Sequence, residues 1–189
     1  MALLFTLRHG ETDFNSQGRY AGSTDVALNA KGIQQAHDLA TKVSQLNIDV
    51  IVTSPLKRCI QTSNIIHRVV KVPLVVMSEF RERNVGVYEG LTKEEAKNKY
   101  PELWSKNITR IYNQAPPGGE TIKEVEDRVF FGLQKLQAEY LNKNILVVTH
   151  GFVSKVVHKF FHHPTEDQFF EYQLDSGSIA EYQLHSLST

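Results

Sequence analysis

The sequence predicts a three-layer α/β/α sandwich with a mostly parallel central sheet. Short apolar runs alternate with helical patterns along the chain, as βα units require. Two of the runs, residues 3–7 and 145–149, are nearly all apolar and do not alternate, the mark of strands covered on both faces. Both lead into a His-Gly step, His9-Gly10 and His150-Gly151. Ligands of open α/β sheets bind at the carboxyl ends of such strands.

The elements follow in order. After the first strand, Asn29 is a good N-cap, and Ile33, Ala36, Ala40, Val43 and Leu46 recur at helical spacing. Residues 50–53 form the next strand. Ser54 and Pro55 read as N-cap and first helical position, so a helix should begin at once and carry Arg58 and Cys59. Residues 73–77 form a short strand. Ile122, Val125, Val129, Leu133, Leu136 and Tyr140 define a long helix, opened by the capping-box pair Thr121 and Glu124. The strand ending at His150 leads into a helix over residues 151–161, and a last strand over 179–184 follows the turn Ser176-Gly177-Ser178. Residues 91–119 are the least regular, with Trp104, Tyr112 and Pro116-Pro117-Gly118-Gly119; they are expected to form an excursion over the active site within one domain spanning 1–189.

Bulk properties narrow the function. The 189 residues are 41% hydrophobic and 22% charged, with a formal net charge of zero, so no global basic surface suggests nucleic acid. Anion recognition must come from locally gathered cations. The single cysteine, Cys59, leaves no intramolecular disulfide and fits a reducing cytoplasm. No apolar stretch approaches membrane-spanning length, and the first strand runs into Arg8-His9 without a basic leader, which argues against a removable signal.

The sheet's carboxyl edge should gather Arg8 and His9, Arg58 in the first turn of its helix, and His150 with Gly151 where another helix starts. Helix N-termini favour anions. Arginine forks match phosphate oxygens, and a glycine after each histidine permits close backbone approach. The set reads as a pocket for a phosphoryl group. A neutral imidazole can attack phosphorus and hold the group covalently, while Arg8, Arg58 and His150 stabilise the charge spread over the transferring oxygens. Glu82, in a loop after residues 73–77, is the candidate proton donor to the leaving alcohol and activator of water. No metal or cofactor is needed in that scheme.

These residues resemble the histidine phosphatase superfamily, which includes the cofactor-dependent phosphoglycerate mutases. The resemblance rests on blocks in the right order over nearly the whole chain: Arg8-His9-Gly10-Glu11-Thr12 with Asn15; Gly22-Ser23-Thr24-Asp25 and Leu28-Asn29-Ala30-Lys31-Gly32; Ser54-Pro55-Leu56-Lys57-Arg58; Glu82 with Gly86 and Glu89-Gly90; Gly118-Gly119-Glu120-Thr121 ahead of Arg128; and Val148-Thr149-His150-Gly151. It implies a phosphoglycerate mutase-like fold, His9 as the phosphorylated nucleophile, and Glu82 as proton donor. It also implies Arg8, Arg58 and His150 around the transferring phosphate, with Asn15 beside them and Gly22, Ser23 and Thr24 touching substrate. Ser23 stands where an aromatic is usual, and Asn84-Val85 is an atypical sequel to Glu82; both bear on substrate choice.

The mutase branch usually carries a longer basic excursion and a C-terminal tail over the site, and this chain shows neither. The expectation is therefore a histidine acid-type phosphatase acting on a small-molecule phosphate ester, as a monomer or homodimer. A phosphoglycerate mutase and a non-catalytic phosphate-binding interaction module are the alternatives. Cys59 reads as a small buried hydrophobe, and residue 65 is not the arginine that a cysteine-based phosphate loop would supply. His37, His67, His158 and His185 are assigned to helix or strand faces. His162-His163 lacks the carboxylate or cysteine spacing of a metal site. Phe130-Phe131 and Phe160-Phe161 read as core or partner-facing. Trp104, Lys106, Arg110 and Tyr112 either line the substrate mouth or decorate a solvated loop.

Overall fold

A computed structural model describes residues 2–184. The chain runs β1 (Ala2–Arg8), α1 (Asp13–Ser16), α2 (Ala30–Val43), β2 (Val50–Thr53), α3 (Lys57–Val70) and β3 (Leu74–Val76). Two 3-10 turns (Ser78–Phe80 and Gly86–Tyr88), α4 (Lys93–Lys99), α5 (Pro101–Ser105) and a third 3-10 turn (Ile108–Arg110) follow. The rest is α6 (Ile122–Glu139), β4 (Ile145–Thr149), α7 (Gly151–His162), α8 (Glu166–Glu171) and β5 (Ile179–Leu184). His185 lies outside the described residues.

The strands form one sheet in the order β3-β2-β4-β1-β5, all parallel except β5, which is antiparallel to β1. Period-two geometry sends successive side chains to opposite faces. In β4, Ile145 and Val147 join the core under α6 and α7, with Val129, Leu133 and Val153, while Leu146 and Val148 join the core under α2 and α3, with Leu39, Val43 and Ile66. Both faces are covered, so a central strand reads as unbroken apolar sequence. Among the described residues no helix is long and apolar enough to cross a membrane.

Helix starts follow side-chain caps in five cases, Thr12 and Thr165 opening α1 and α8 with capping boxes. Asn29 caps α2 by accepting from the Gly32 N–H (2.8 Å), and Thr92 and Thr121 open α4 and α6 with capping boxes. The Ser54-Pro55 start is corrected. The chain stays extended to Leu56, and α3 begins at Lys57, whose N–H donates to Asp25 Oδ1 (2.6 Å) instead of to a local cap. The Ser54 hydroxyl accepts from the Leu56 N–H (3.3 Å), one residue ahead of the helix, and also meets His150. The apolar stripe of α2 holds at Ala36, Ala40 and Val43, which are buried with Leu39, but at the first turn Gly32 is buried in place of Ile33, which is 42% exposed. The cause is backbone contact at the first turn. A Cβ on Gly10 would lie 2.2 Å from the Gly32 carbonyl oxygen, and one on Gly32 would lie 2.0 Å from that of Glu11, so Gly32 must face inward.

Residues 91–119 hold more regular structure than their sequence suggests. Helices this short have too few turns to display a periodicity. The segment packs a small core of its own, in which Ala96 and Ile108 meet Val85 and Tyr88. Phe130, Phe160 and Phe161 pack against the core, whereas Phe131 is exposed. His67 Nδ1 pairs with the Val72 carbonyl, and His158 stacks on Tyr172 at 3.9 Å. His163 adopts the left-handed conformation that ends α7.

Candidate active site

Register builds the site. Arg8 lies opposite Thr149 across β1 and β4, and Thr53 lies opposite Val148 across β2 and β4. The residues that follow these strand ends, His9, His150 and Ser54, therefore emerge side by side at one edge. The His9 N–H donates to the Thr149 carbonyl (3.1 Å) and the Ser54 N–H to that of Val148 (3.1 Å), extending the ladder by one step. The Gly10 N–H is held by Thr62 Oγ1 (3.3 Å), and the Gly10–Gly32 contact locks the loop behind it.

The two imidazoles are buried and sit edge to face, 5.1 Å between centroids. His9 Nδ1 lies 2.7 Å from the Gly10 carbonyl oxygen, which can only accept, so the proton resides on Nδ1 and Nε2 carries the lone pair. Arg58 Nε–H donates to His9 Nε2 (3.2 Å) and to His150 Nδ1 (3.2 Å), one proton shared between two rings. His150 therefore carries its own proton on Nε2 and donates it to Ser54 Oγ (2.7 Å). Ser54 is thus a partner of His150 that the sequence reading assigned to a helix cap. Its signal is positional: it is the residue after the strand beside β4.

Arg58 is 1% exposed. Its Nη1 and Nη2 donate to the carbonyls of Thr24 (2.8 Å) and Gly22 (2.8 Å). Burial, followed by the Arg58 charge, holds both imidazoles well below the usual histidine range; Arg8 acts in the same direction on each. Both rings are neutral at pH 7, the form a nucleophilic imidazole needs. The unfolded chain takes up protons at these two positions below about pH 6.5, whereas the native site refuses them, so stability declines as pH falls through that range. NMR of ring nitrogens at pH 6 should show neutral rings, Nδ1–H for His9 and Nε2–H for His150; imidazolium signals would contradict the assignment.

Arg8, Glu82 and Gly151 complete the inner wall, and with His9 and Arg58 they line a cavity of about 360 Å³. Arg8 Nη1 donates to the Leu174 carbonyl (3.3 Å), while its buried Nε meets no acceptor. A Cβ on Gly151 would touch the Arg8 guanidinium carbon at 3.4 Å, so glycine leaves that group room. The Glu82 carboxylate is oriented by two backbone donors: Arg83 N–H to Oε1 (2.9 Å) and Phe152 N–H, at the start of α7, to Oε2 (3.2 Å).

The remaining expected contacts divide. Gly22 and Asn15 line the cavity, although Asn15 Oδ1 is engaged in capping α1 through the Thr12 N–H (3.1 Å) and hydroxyl (2.9 Å). Ser23 and Thr24 turn away from it. Glu89 takes the Ser23 N–H (2.6 Å) and hydroxyl (2.8 Å) and the Thr24 hydroxyl (2.6 Å), which leaves Thr24 to act through its carbonyl on Arg58. Cys59 is buried behind His150, 3.4 Å from its Nε2, and burial pushes the thiol up, so it is no nucleophile. Among the described residues no group of three or more His, Cys, Asp or Glu is placed to hold a metal ion.

Thr109 and Arg110, from the excursion, form part of the outer cavity wall, with Arg83, Phe152, Lys155 and Phe170 nearby. Tyr112 and Trp104 face neighbouring cavities instead, and Lys106 is exposed. Arg83 flanks Glu82 and could assist binding by sequence, which leaves its direction open, and the structure sets it in the wall. Sequence reading missed Lys155, whose signal was its spacing: four residues after Gly151, it shares a face of α7 with the first turn.

Comparison with known proteins agrees with this architecture. The family model of the histidine phosphatase superfamily (branch 1) matches residues 4–187. A Bacillus subtilis (strain 168) protein named "Uncharacterized phosphatase PhoE" is 41% identical over 151 residues, 80% of this chain and 72% of its own. Phosphoserine phosphatase 1 of Hydrogenobacter thermophilus is 32% identical over 150 residues, 79% of this chain and 71% of its own. The structure of Bacillus stearothermophilus YhfR superposes with a TM-score of 0.87 at 26% identity, covering 96% of this chain and 90% of that one.

Proposed function

This chain belongs to the histidine phosphatase superfamily, branch 1, and from that premise we propose that it is a metal-independent phosphatase that hydrolyses small phosphate monoesters through a phosphohistidine at His9. The observation that carries this reading is the His9 tautomer: Nδ1–H is tied to the Gly10 carbonyl, and the unprotonated Nε2 accepts from Arg58 Nε–H beside the cavity that both residues line.

In this scheme the phosphoryl group of the ester docks among Arg8, Arg58 and His150. The Nε2 lone pair forms a bond to phosphorus as the bond to the ester oxygen breaks. Protonated Glu82 delivers its proton to the departing oxygen and releases the alcohol. Its carboxylate then takes a proton from water, whose oxygen attacks phosphorus. The phosphorus–nitrogen bond breaks, returning its electron pair to His9 and freeing inorganic phosphate. Arginine donors stabilise the transferring oxygens in both steps. The lone buried thiol supports the cytoplasm as its compartment.

Release of inorganic phosphate from a panel of monoesters, in the presence of EDTA, tests the proposal. Accumulation of an isomerised phosphoglycerate without free phosphate would assign the chain to mutase chemistry. Turnover that disappears with EDTA would remove metal independence. Glu82→Gln should slow alkyl phosphates by about 10²–10⁴-fold. It should slow 4-nitrophenyl phosphate far less, because that leaving group needs no proton. Equal losses across leaving groups would take Glu82 out of the donor role.

A further inference from the structure

The outer half of the cavity carries positive charge that the phosphoryl reaction does not use. Five cations line the cavity without an ion pair among the described residues: Arg8, Arg58, Arg83, Arg110 and Lys155. Arg19, also at the wall, is paired with Glu95. Glu82 is the carboxylate on this lining. With Glu82 protonated to serve as donor, a bound phosphoryl dianion balances two of those five charges, and the surplus lies among Arg83, Arg110 and Lys155.

Each of the three is poised for an anion. Arg83 is 2% exposed; its Nε and Nη1 donate to the carbonyls of Glu120 (2.9 Å) and Thr109 (2.7 Å), and its guanidinium lies over the Phe152 ring. Its Nη2 is buried and has no acceptor. A buried cationic donor without a partner costs more than an ordinary unmade hydrogen bond, so an acceptor arriving through the cavity gains correspondingly. Arg110, in the exposed rim, is held over the Phe170 ring at 4.9 Å. Lys155 donates to the carbonyls of Phe170 and Tyr172, and burial with the charges of Arg110 and Arg8 holds its ammonium below the usual lysine range. Arg83 feels the Glu82 and Glu120 carboxylates, whereas the charges acting on Lys155 are the cations Arg110 and Arg8.

Building on the phosphatase reading, we infer that Arg83, Arg110 and Lys155 form a second anion subsite, which selects phosphate monoesters whose alcohol portion carries another anionic group. A carboxylate and a second phosphate share the required chemistry: acceptor oxygens with negative charge that accept a planar guanidinium fork. The aromatic faces of Phe152 and Phe170 hold the two guanidinium groups flat, which limits the rotamer freedom lost on binding.

Non-hydrolysable phosphonates test this by calorimetry on the whole chain. Alkylphosphonates with two to four methylene groups are compared with the same chains ending in a carboxylate, and with those ending in a second phosphonate. At one chain length or more, an anionic end should bind at least about tenfold tighter than the plain alkyl end, the gain expected of a charge-assisted pair. Whichever end gains more identifies the source. The ratio should fall to within about twofold in Arg110→Met, an exposed position where folding is not at risk, and should shrink in Lys155→Met. Equal affinities in the wild type, or a ratio unchanged in both variants, would overturn the subsite. The matching phosphate esters separate it from the reaction. Discriminating binding without phosphate release would sink the phosphatase reading and leave the subsite standing; phosphate release without discrimination would do the reverse.

Discussion

Replacing His9 with alanine is expected to lower kcat/KM for every phosphate ester by about 10⁴–10⁶-fold, the scale on which loss of a covalent nucleophile falls. The size follows from what the ring does alone. Arg8, Arg58 and His150 remain to bind the phosphoryl group, so KM should move far less than kcat. No neighbouring group can take over attack: His150 is fully buried and does not line the cavity, and the Cys59 thiol is buried and held protonated. The variant should fold, because the lost His9 Nδ1–H bond is local to Gly10, while the Gly10–Gly32 contact that shapes the loop is made by backbone. Rapid acid-free quenching with labelled substrate should trap an alkali-stable, acid-labile phosphoprotein in the wild type and none in His9→Ala. Activity within about tenfold of wild type would end the covalent scheme.

Arg58→Met has the second large effect and separates chemistry from scaffolding. The substitution removes the donor to the buried Gly22 carbonyl, at about 1–3 kcal/mol for an acceptor left unpaired, and one of two donors to the Thr24 carbonyl, which keeps the Val26 N–H (3.1 Å). Relief from burying a guanidinium that has no carboxylate partner offsets part of that cost. The fold should survive at 25 °C with a lowered denaturation midpoint. Activity should fall further, by about 10²–10³-fold, as for loss of one preorganised donor to the transferring oxygens. A third readout belongs to the charge alone. Arg58 holds the His9 and His150 rings below their ordinary range, so its removal should raise both titrations and move the imidazolium signals of the two rings to higher pH. Rings that titrate unchanged would mean that the guanidinium acts on the loop and not on the imidazoles.

Much of the candidate site's placement was legible because it depends on strand order and little else. A central parallel strand must be apolar on both faces, so residues 145–148 announced themselves, and the residues just beyond such strands share one edge. His9, His150 and Arg58 follow from that placement. Residues whose roles depend on distant carbonyls or carboxylates were not legible. Ser54 has the composition of a cap, and only β4 as its neighbour turns its hydroxyl to His150. Ser23 and Thr24 stand in the right loop, but Glu89, some 65 residues on, claims their hydroxyls. Nothing local tells which way Arg83 points; it is buried because the Glu120 and Thr109 carbonyls lie within reach of its fork. Ile33 was misplaced for a related reason, since the contact that turns it outward involves backbone atoms of Gly10 and Glu11.

The short helices of residues 91–119 pack against Val85 and Tyr88 and contribute Thr109 and Arg110 to the cavity wall, while His9 and His150 stand at the ends of β1 and β4. The two have separate foundations. Mutational drift can therefore remodel what the enzyme admits without retuning how it reacts, and a family built this way diversifies at low risk. For the protein engineer, the same division makes this segment a cassette: exchanged whole between relatives together with its own small core, it should carry preference along and leave the phosphoryl machinery untouched.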